Sequence, residues 1–258
     1  TLTQAFIANL PFALTGAQRK AIMEISADLA HAYPMQRLVQ GDVGCGKTIV
    51  AAQAALHDVE AGYQAALMMP TELLAEQHFK NFSRWLAPLH VDIAWLSGKV
   101  KTRERHTALE RIADGTARVI IGTHALFQEQ VVFAKLGLII VDEQHRFGVH
   151  QRLALREKGG REAAHPEVRE RPHQLIMTAT PIPRTLAMSL EGLRDFSVIA
   201  TAPQRRLAIK TFVSRFSKAL IREAALRELK RGGQIYFLHN DIDTIGAMEE
   251  SLAKLLPE

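Results

Sequence analysis

The chain has 258 residues, 47% hydrophobic and 23% charged, with a formal net charge of +5. This is soluble globular material for one large domain or two small ones, and no apolar run nears the roughly 18 residues of a membrane span. The positive balance suits a polyanion partner and equally a soluble protein that happens to be basic. The N-terminus Thr1-Leu2-Thr3-Gln4 lacks a basic segment followed by an apolar core, so no secretory signal is read. The lone cysteine, Cys45, rules out an internal disulfide and fits a reducing cytoplasm.

Thr15 is placed to cap a helix in which Ala17, Ala21, Ile22, Ile25 and Leu29 recur at helical spacing. Gln18 lies in its first turn. A glutamine amide both donates and accepts, which matches the edge of adenine, although a lone glutamine here is ordinarily solvent-facing. The short run Arg37 to Gln40 reads as a strand. It leads into Gly41-Asp42-Val43-Gly44-Cys45-Gly46-Lys47-Thr48, and a helical stretch from Ile49 to Leu56 follows. Strand, G-x-x-x-x-G-K-T and helix together form a phosphate-binding loop. The glycines let backbone N–H groups turn toward phosphate oxygens, and the helix N-terminus adds its positive end. In that role Lys47 reaches the β- and γ-phosphates, and Thr48 offers its hydroxyl to Mg²⁺.

Gln64 to Met69 reads as a buried strand ending at Pro70-Thr71-Glu72, where Thr71 caps a helix from Leu73 to Trp85. Val91 to Leu96 is another strand. It runs into the basic cluster Ser97 to Arg105, which fits a solvated helix face as well as a phosphate contact. Val119 to His124 is a buried strand with a polar end that includes Thr123 and His124. The run Leu136 to Val141 is almost wholly aliphatic and stops at Asp142-Glu143. Beside a phosphate loop, such a strand end supplies the second half of a nucleotide site, with Asp142 on Mg²⁺ and Glu143 polarising the attacking water. Residues 156–172 read as a charged, exposed insert. The strand from His173 ends in Thr178-Ala179-Thr180-Pro181, whose hydroxyls could bond the catalytic carboxylates or a γ-phosphate-linked water, or only close a turn.

Short buried strands alternating with helices predict an α/β fold: a parallel sheet with helices on both faces and ligands at the carboxyl ends of its strands. The pattern restarts near Leu190. It predicts strands at Ile209–Val213 and Gln234–Asn240 and helices from Ser217 or Lys218 to Lys230 and from Asp241 to Leu256. Two such units cannot bury a sheet alone. The expected division is therefore a complete lobe over 1–190 and the truncated beginning of a second over 191–258.

In order, residues Phe12 to Gln18, GDVGCGKT, Pro70 to His78, Gly122-Thr123-His124, Asp142-Glu143-Gln144-His145 and Thr178-Ala179-Thr180 resemble the adenine motif and motifs I, Ia, Ib, II and III of superfamily 2 helicases. Over about 10–188 the likeness is to the RecG family of ATP-dependent DNA helicases. Over about 190–258, Leu193 to Thr201, Arg205 to Val213 and Arg231 to Tyr236 resemble the transcription-repair coupling factors, which are double-stranded DNA translocases. The resemblance implies a RecA-like phosphate-loop fold and ATP with Mg²⁺. Lys47, Thr48 and Asp142 would bind phosphate and metal, Glu143 would be the catalytic base, and Gln18 would read adenine. Gln144, His145, Thr178 and Thr180 would couple the nucleotide to DNA movement. Thr71, Thr123 and His124 would track the DNA backbone, although capping and turn formation explain these three equally well. The implied partner is branched or double-stranded DNA, and the implied species is a cytoplasmic monomer with no membrane contact. No junction-gripping wedge or RNA polymerase-binding module is read in these residues, so no polymerase contact is expected. No Gln-x-x-Gly-Arg-x-Gly-Arg segment follows either. Arginine fingers are worth about 10³–10⁵ in rate in other NTPases, so slow turnover by this chain alone is expected. Three alternatives stand beside the motor: a nucleotide- and DNA-binding fragment without motor activity, part of a transcription-repair coupling factor, and an unrelated phosphate-loop kinase or transporter ATPase. The pairing of Asp142-Glu143-Gln144-His145 with Thr178-Ala179-Thr180 speaks against the last.

Overall fold

The computed structural model describes residues 1–31, 33–98, 100, 102–143, 171–180, 195–201 and 210–256. Two compact units result, Thr1–Arg206 and Leu207–Glu258.

The first unit begins with α1 (Leu2–Ala8) and α2 (Gly16–Leu29). The alternation β1 (Gln36–Gly41), α3 (Lys47–Glu60), β2 (Gln64–Met68), α4 (Glu72–Leu86), β3 (Ile93–Leu96), α5 (Thr102–Ala113), β4 (Val119–Gly122) and β5 (Leu136–Asp142) follows. It continues with β6 (His173–Thr178) and β7 (Asp195–Ile199). The strands form one seven-stranded sheet in the order β3-β4-β2-β5-β6-β1-β7. Every pairing is parallel. Parallel neighbours need crossover connections, and α3, α4 and α5 supply those that lead from β1 to β4. Covering both faces explains why β2, β4 and β5 are buried at every residue.

Two cores follow from the period-two alternation of side chains along a strand. Ala65, Leu67, Leu138, Ile140, Val119 and Ile121 pack with Phe6 of α1, Ile25 of α2, Leu56 of α3 and Phe82 of α4. Their neighbours Ala66, Met68, Ile139, Val141 and Ile120 face the other way, onto Ala108 and Ile112 of α5 and Leu126. Short α1 carries too little periodicity to be read from sequence. It is tied to the end of α3 by Glu60, whose carboxylate accepts from the Leu2 N–H and, at 3.0 Å, from the Thr3 hydroxyl.

The predicted boundary at 190/191 is displaced, because β7 completes the first sheet by pairing with β1 from Arg37↔Asp195 to Gly41↔Ile199. A partly buried ion cluster around the buried Arg37 holds it there. The Arg37 guanidinium donates to Asp28 (2.6 Å), the Ser197 hydroxyl (2.9 Å) and the Phe196 carbonyl (3.3 Å), and lies 3.5 Å from Glu24. Ser197 in turn donates to Glu24 at 2.5 Å. One cation thus links α2, β1 and the edge strand.

The second unit contains α6 (Lys218–Lys230), capped by Ser217, and α7 (Ile245–Ala253). The Arg231–Gly232 turn closes α6, with Gly232 at φ 73°. The strands predicted at Ile209–Val213 and Gln234–Asn240 are absent among the described residues, Ile209 lying outside them. A strand exists only through its ladder, and no ladder joins these segments. Val213, Tyr236 and Leu238 are accordingly exposed at 97%, 94% and 89%. The second helix starts at Ile245, not Asp241, because Asp241 is engaged in a turn, its carboxylate accepting from the Asp243 N–H. Most of the charged insert read at 156–172 lies outside the described residues, as do Gln144 and His145. Among the described residues no helix is long and apolar enough to cross a membrane.

Replacing Arg37 with alanine takes from Asp28 its 2.6 Å partner and from Glu24 one of its two cations among the described residues, the other being Lys20 at 3.9 Å. Arg37→Ala is expected to lower unfolding stability by about 3 kcal/mol, the usual cost of breaking a buried pair. Urea denaturation reads this as a shifted midpoint with an unchanged slope, and an unmoved midpoint would show that apolar packing alone holds β7.

Candidate nucleotide and nucleic-acid site

The phosphate loop grows from the carboxyl end of β1, and two glycines explain its shape. Gly46 is the N-cap of α3 in a left-handed conformation, φ 88°. A Cβ there would also collide with the Gln18 amide nitrogen. Gly41 approaches so closely that a Cβ would meet the Cys45 sulfur. The loop turns tightly enough to fold the Lys47 ammonium back on itself, donating to the carbonyls of Gly41 (2.6 Å) and Asp42 (3.1 Å). Cys45 is buried, Asp42, Val43 and Gly44 are exposed, and Lys47 and Thr48 are half-buried in the first turn of α3. The 14 residues of α3 direct the positive end of their dipole into the loop.

Gln18 is not solvent-facing; it is 6% exposed and braces the loop. Its Nε2 donates to the Cys45 carbonyl (2.8 Å), and its Oε1 accepts from the Thr15 N–H (2.9 Å). The Thr15 hydroxyl in turn accepts from the Gln18 N–H (3.2 Å), which completes a capping box. A glutamine amide has a second N–H and a second lone pair, so this bracing leaves donor and acceptor capacity for a base edge.

The acids arrive through the sheet register. On β6, Met177 lies beside Asp142 of β5 and Thr178 beside Gln40 of β1. Asp142 is therefore level with Val39 two strands away, and Gly41, two residues further along β1, lies roughly 12 Å from it. Glu143 sits just past the strand at φ 51°, a conformation costing a non-glycine residue about 1–2 kcal/mol. Two bonds hold it there. Its N–H donates to the Met177 carbonyl (2.9 Å), and its Oε1 accepts from the Ala179 N–H (3.0 Å). The Thr178 hydroxyl accepts from the Thr180 N–H (3.1 Å), so the turn carrying Ala179 is itself closed. The Thr178 hydroxyl thus closes a turn, and the bond to the Glu143 carboxylate comes from the Ala179 backbone N–H, not from a hydroxyl.

Asp142 is 9% exposed, and its Oδ1 is buried with no hydrogen-bond partner among the described residues. Its Oδ2 lies 3.4 Å from Nε2 of His78 on α4. The sequence reading did not single out His78. The available signal was a polar residue on the buried stripe Ala75, His78, Phe82 and Leu86. Thr48 and Asp142 offer hard oxygen ligands. No group of three or more His, Cys, Asp or Glu is gathered for a metal among the described residues. A cation here would take its remaining oxygens from phosphates and water, the usual manner of Mg²⁺ and not of a caged metal.

The other predicted residues lie at the same end of the sheet. Thr71, after β2, is exposed and caps α4, its hydroxyl accepting from the Leu74 N–H (3.3 Å). His124, after β4, is exposed, whereas Thr123 is 1% exposed and its hydroxyl is turned inward. Thr180 is exposed. Across the carboxyl edge the sequence is therefore Thr123 and His124, Thr71, Asp142 and Glu143, Thr178, then the phosphate loop.

Residues 15–189 match the DEAD/DEAH box helicase family. An ATP-dependent DNA helicase RecG of Haemophilus influenzae is 48% identical over 99% of this chain, which spans 38% of that relative's length. A transcription-repair-coupling factor of the same organism is 45% identical over 99% of the chain, which spans 21% of its length. Both alignments run through the last quarter. Among solved structures, RecG bound to a three-way DNA junction is similar with a TM-score of 0.81 and 38% identity, covering 98% of this chain and 33% of that one.

The bracing of the loop by Gln18 can be separated from backbone strain by comparing two glycines. Gly46 and Gly62 both have positive φ, but a Cβ on Gly62 meets nothing within 4 Å. Gly62→Ala is expected to cost about 1–2 kcal/mol. Gly46→Ala is expected to cost more and to weaken nucleotide binding at least tenfold. Thermal unfolding and a fluorescent-ATP titration check this; equal costs would mean that the Gln18 contact carries no weight.

Proposed function

The chain belongs to the DEAD/DEAH box helicase family, and from that premise we propose that its first unit is the ATP-binding, RecA-like lobe of a RecG-type DNA motor. One observation carries the reading: the nucleotide-type residues occupy the ends of β5, β6 and β1, and the helicase-type residues Thr71 and His124 occupy the ends of β2 and β4 of the same edge. The second unit is the beginning of a second lobe. The relative solved on a three-way junction supports branched DNA as the partner.

In this reading Lys47 exchanges its two loop carbonyls for the β- and γ-phosphate oxygens, and the α3 N-terminus and loop N–H groups hold the remaining charge. Gln18 reads the base while bracing Cys45. Thr48 and Asp142 hold Mg²⁺, which when bound withdraws charge from the phosphates. Glu143 accepts the proton of the attacking water, and the Ala179 N–H on Oε1 fixes the carboxylate's direction. Because Ala179 belongs to the turn of Thr178 and Thr180, a change at the γ-phosphate reaches that turn through one hydrogen bond. Gln144 and His145, next along the chain, complete the coupling set. Within these 258 residues no arginine-finger segment occurs, so a second reading is kept: the chain alone binds ATP–Mg²⁺ and DNA with slow turnover.

Fluorescent-ATP titration with single-turnover hydrolysis tests the assignment. Lys47→Ala is expected to abolish binding. Glu143→Gln is expected to keep binding and lower the hydrolysis rate about 10²–10⁴-fold. Hydrolysis unaffected by Glu143→Gln would remove it as the base. DNA-stimulated steady turnover near full helicase rates would remove the slow-turnover reading. Anisotropy with a three-way junction and a linear duplex of equal length is expected to favour the junction, and equal affinities would contradict the branched-DNA assignment.

A further inference from the structure

His78 occupies a position where helix packing calls for an aliphatic side chain. On α4 it follows Ala75 by three residues and precedes Phe82 by four, on the stripe that faces the sheet, and its side chain is 9% exposed. A buried polar group at such a position costs stability unless it has a partner. The partner here is Asp142, whose Oδ2 lies 3.4 Å from Nε2. The imidazole has no structural bond on its other side, since Nδ1 is buried and without a hydrogen-bond partner among the described residues. His173 shows the contrast. Equally buried, it uses its Nδ1 to accept the Met35 N–H at 2.8 Å and so serves the fold.

We propose that His78 is a positioning residue for the cation-binding carboxylate. It holds one oxygen of Asp142 so that the other, Oδ1, is presented to the metal. The inference rests on the reading of Asp142 as the Mg²⁺ ligand. Topology gives it direction. α4 issues from β2, which flanks β5 on one side, while β6 and the phosphate-loop strand β1 lie on the other. The imidazole therefore engages Asp142 from the side away from the nucleotide. Its Nε2 stands 3.4 Å from Oδ2, in place to donate to it, and the buried Oδ1, without a hydrogen-bond partner among the described residues, is left to take a ligand. The helix presenting it is firmly placed: Thr71 caps it, and Phe82 and Leu86 are fully buried. The imidazole is not itself the metal ligand, because a hard dication prefers oxygen. Its role is the outer one that orients ligating carboxylates, where a lost partner weakens metal binding about 10–100-fold.

Mn²⁺ titration by electron paramagnetic resonance, with the 258-residue chain and a non-hydrolysable ATP analogue, reads the metal directly. His78→Leu is expected to weaken Mn²⁺ binding about 10–100-fold and to leave analogue affinity in excess EDTA unchanged. His78→Gln, which can place an amide N–H where Nε2 stands, is expected to restore binding to within a few-fold of the natural protein. Natural Mn²⁺ affinity in His78→Leu overturns the proposal. If that variant fails to fold, His78→Gln and His78→Asn decide: the shorter Asn amide cannot reach Asp142, so weakening confined to it supports the proposal and equal affinities overturn it. Asp142→Asn in the same titration separates the two layers. A loss there with none in His78→Leu refutes only the positioning role, whereas no loss there refutes Asp142 as the metal ligand and the inference with it.

Discussion

The site depends on the parallel register of three strands. Because β5, β6 and β1 run the same way and pair in step, Asp142, Thr178 and Gly41 emerge together at one edge. A one-residue slip in either pairing would turn the acid to the opposite face. The register is secured from both sides of the sheet by the alternating cores and at its margin by Arg37, whose bonds to α2 and β7 keep β1 an internal strand. The functional loops need few contacts of their own, since the strands beneath them are almost wholly buried.

Over this frame the hydrogen bonds run in two short chains. Thr15, Gln18 and the Cys45 carbonyl brace the phosphate loop from α2. Thr178, the 178–180 turn and Glu143 form the second, with Glu143 held in a left-handed conformation that an isolated chain would avoid. Strain of this kind persists only where the surroundings over-determine it, and here a strand bond and a carboxylate bond do so. A third contact, His78 with Asp142, ties α4, which Thr71 caps, to the carboxylate at the end of β5.

The fold class was legible because buried parallel strands leave continuous aliphatic runs, such as Leu136 to Val141, and because their ends carry the residues of the phosphate loop and the acid pair. Three features were not legible, each for a physical reason. α1 is shorter than two full helical repeats. β7 carries a serine and an aspartate, and it joins the sheet through Arg37, a partner far away in sequence. His78 looks like one more polar residue on an amphipathic helix until the helix phase shows that it points inward. Conversely, the strands read at 209–213 and 234–240 have apolar patterns without a ladder, and pattern alone does not make a strand. Gln18 was legible in position but not in use, because a capping box and a contact to Cys45 are invisible in a hydropathy pattern. For Thr123 the sequence leaves a DNA-backbone contact and a turn role equally open, and in the fold its hydroxyl is buried while the adjacent His124 is exposed.

The central claim is that one carboxyl edge is divided between nucleotide and nucleic acid, β1, β5 and β6 serving the first and β2 and β4 the second. Amide hydrogen exchange read by mass spectrometry, with a non-hydrolysable ATP analogue and junction DNA added separately, tests it most directly. The account predicts that the analogue slows exchange at 41–48, 142–143 and 178–180, and that DNA slows it at 71–74 and 123–127. Protection by the analogue that spares 41–48, or protection by DNA at the amino ends of the strands, would contradict it.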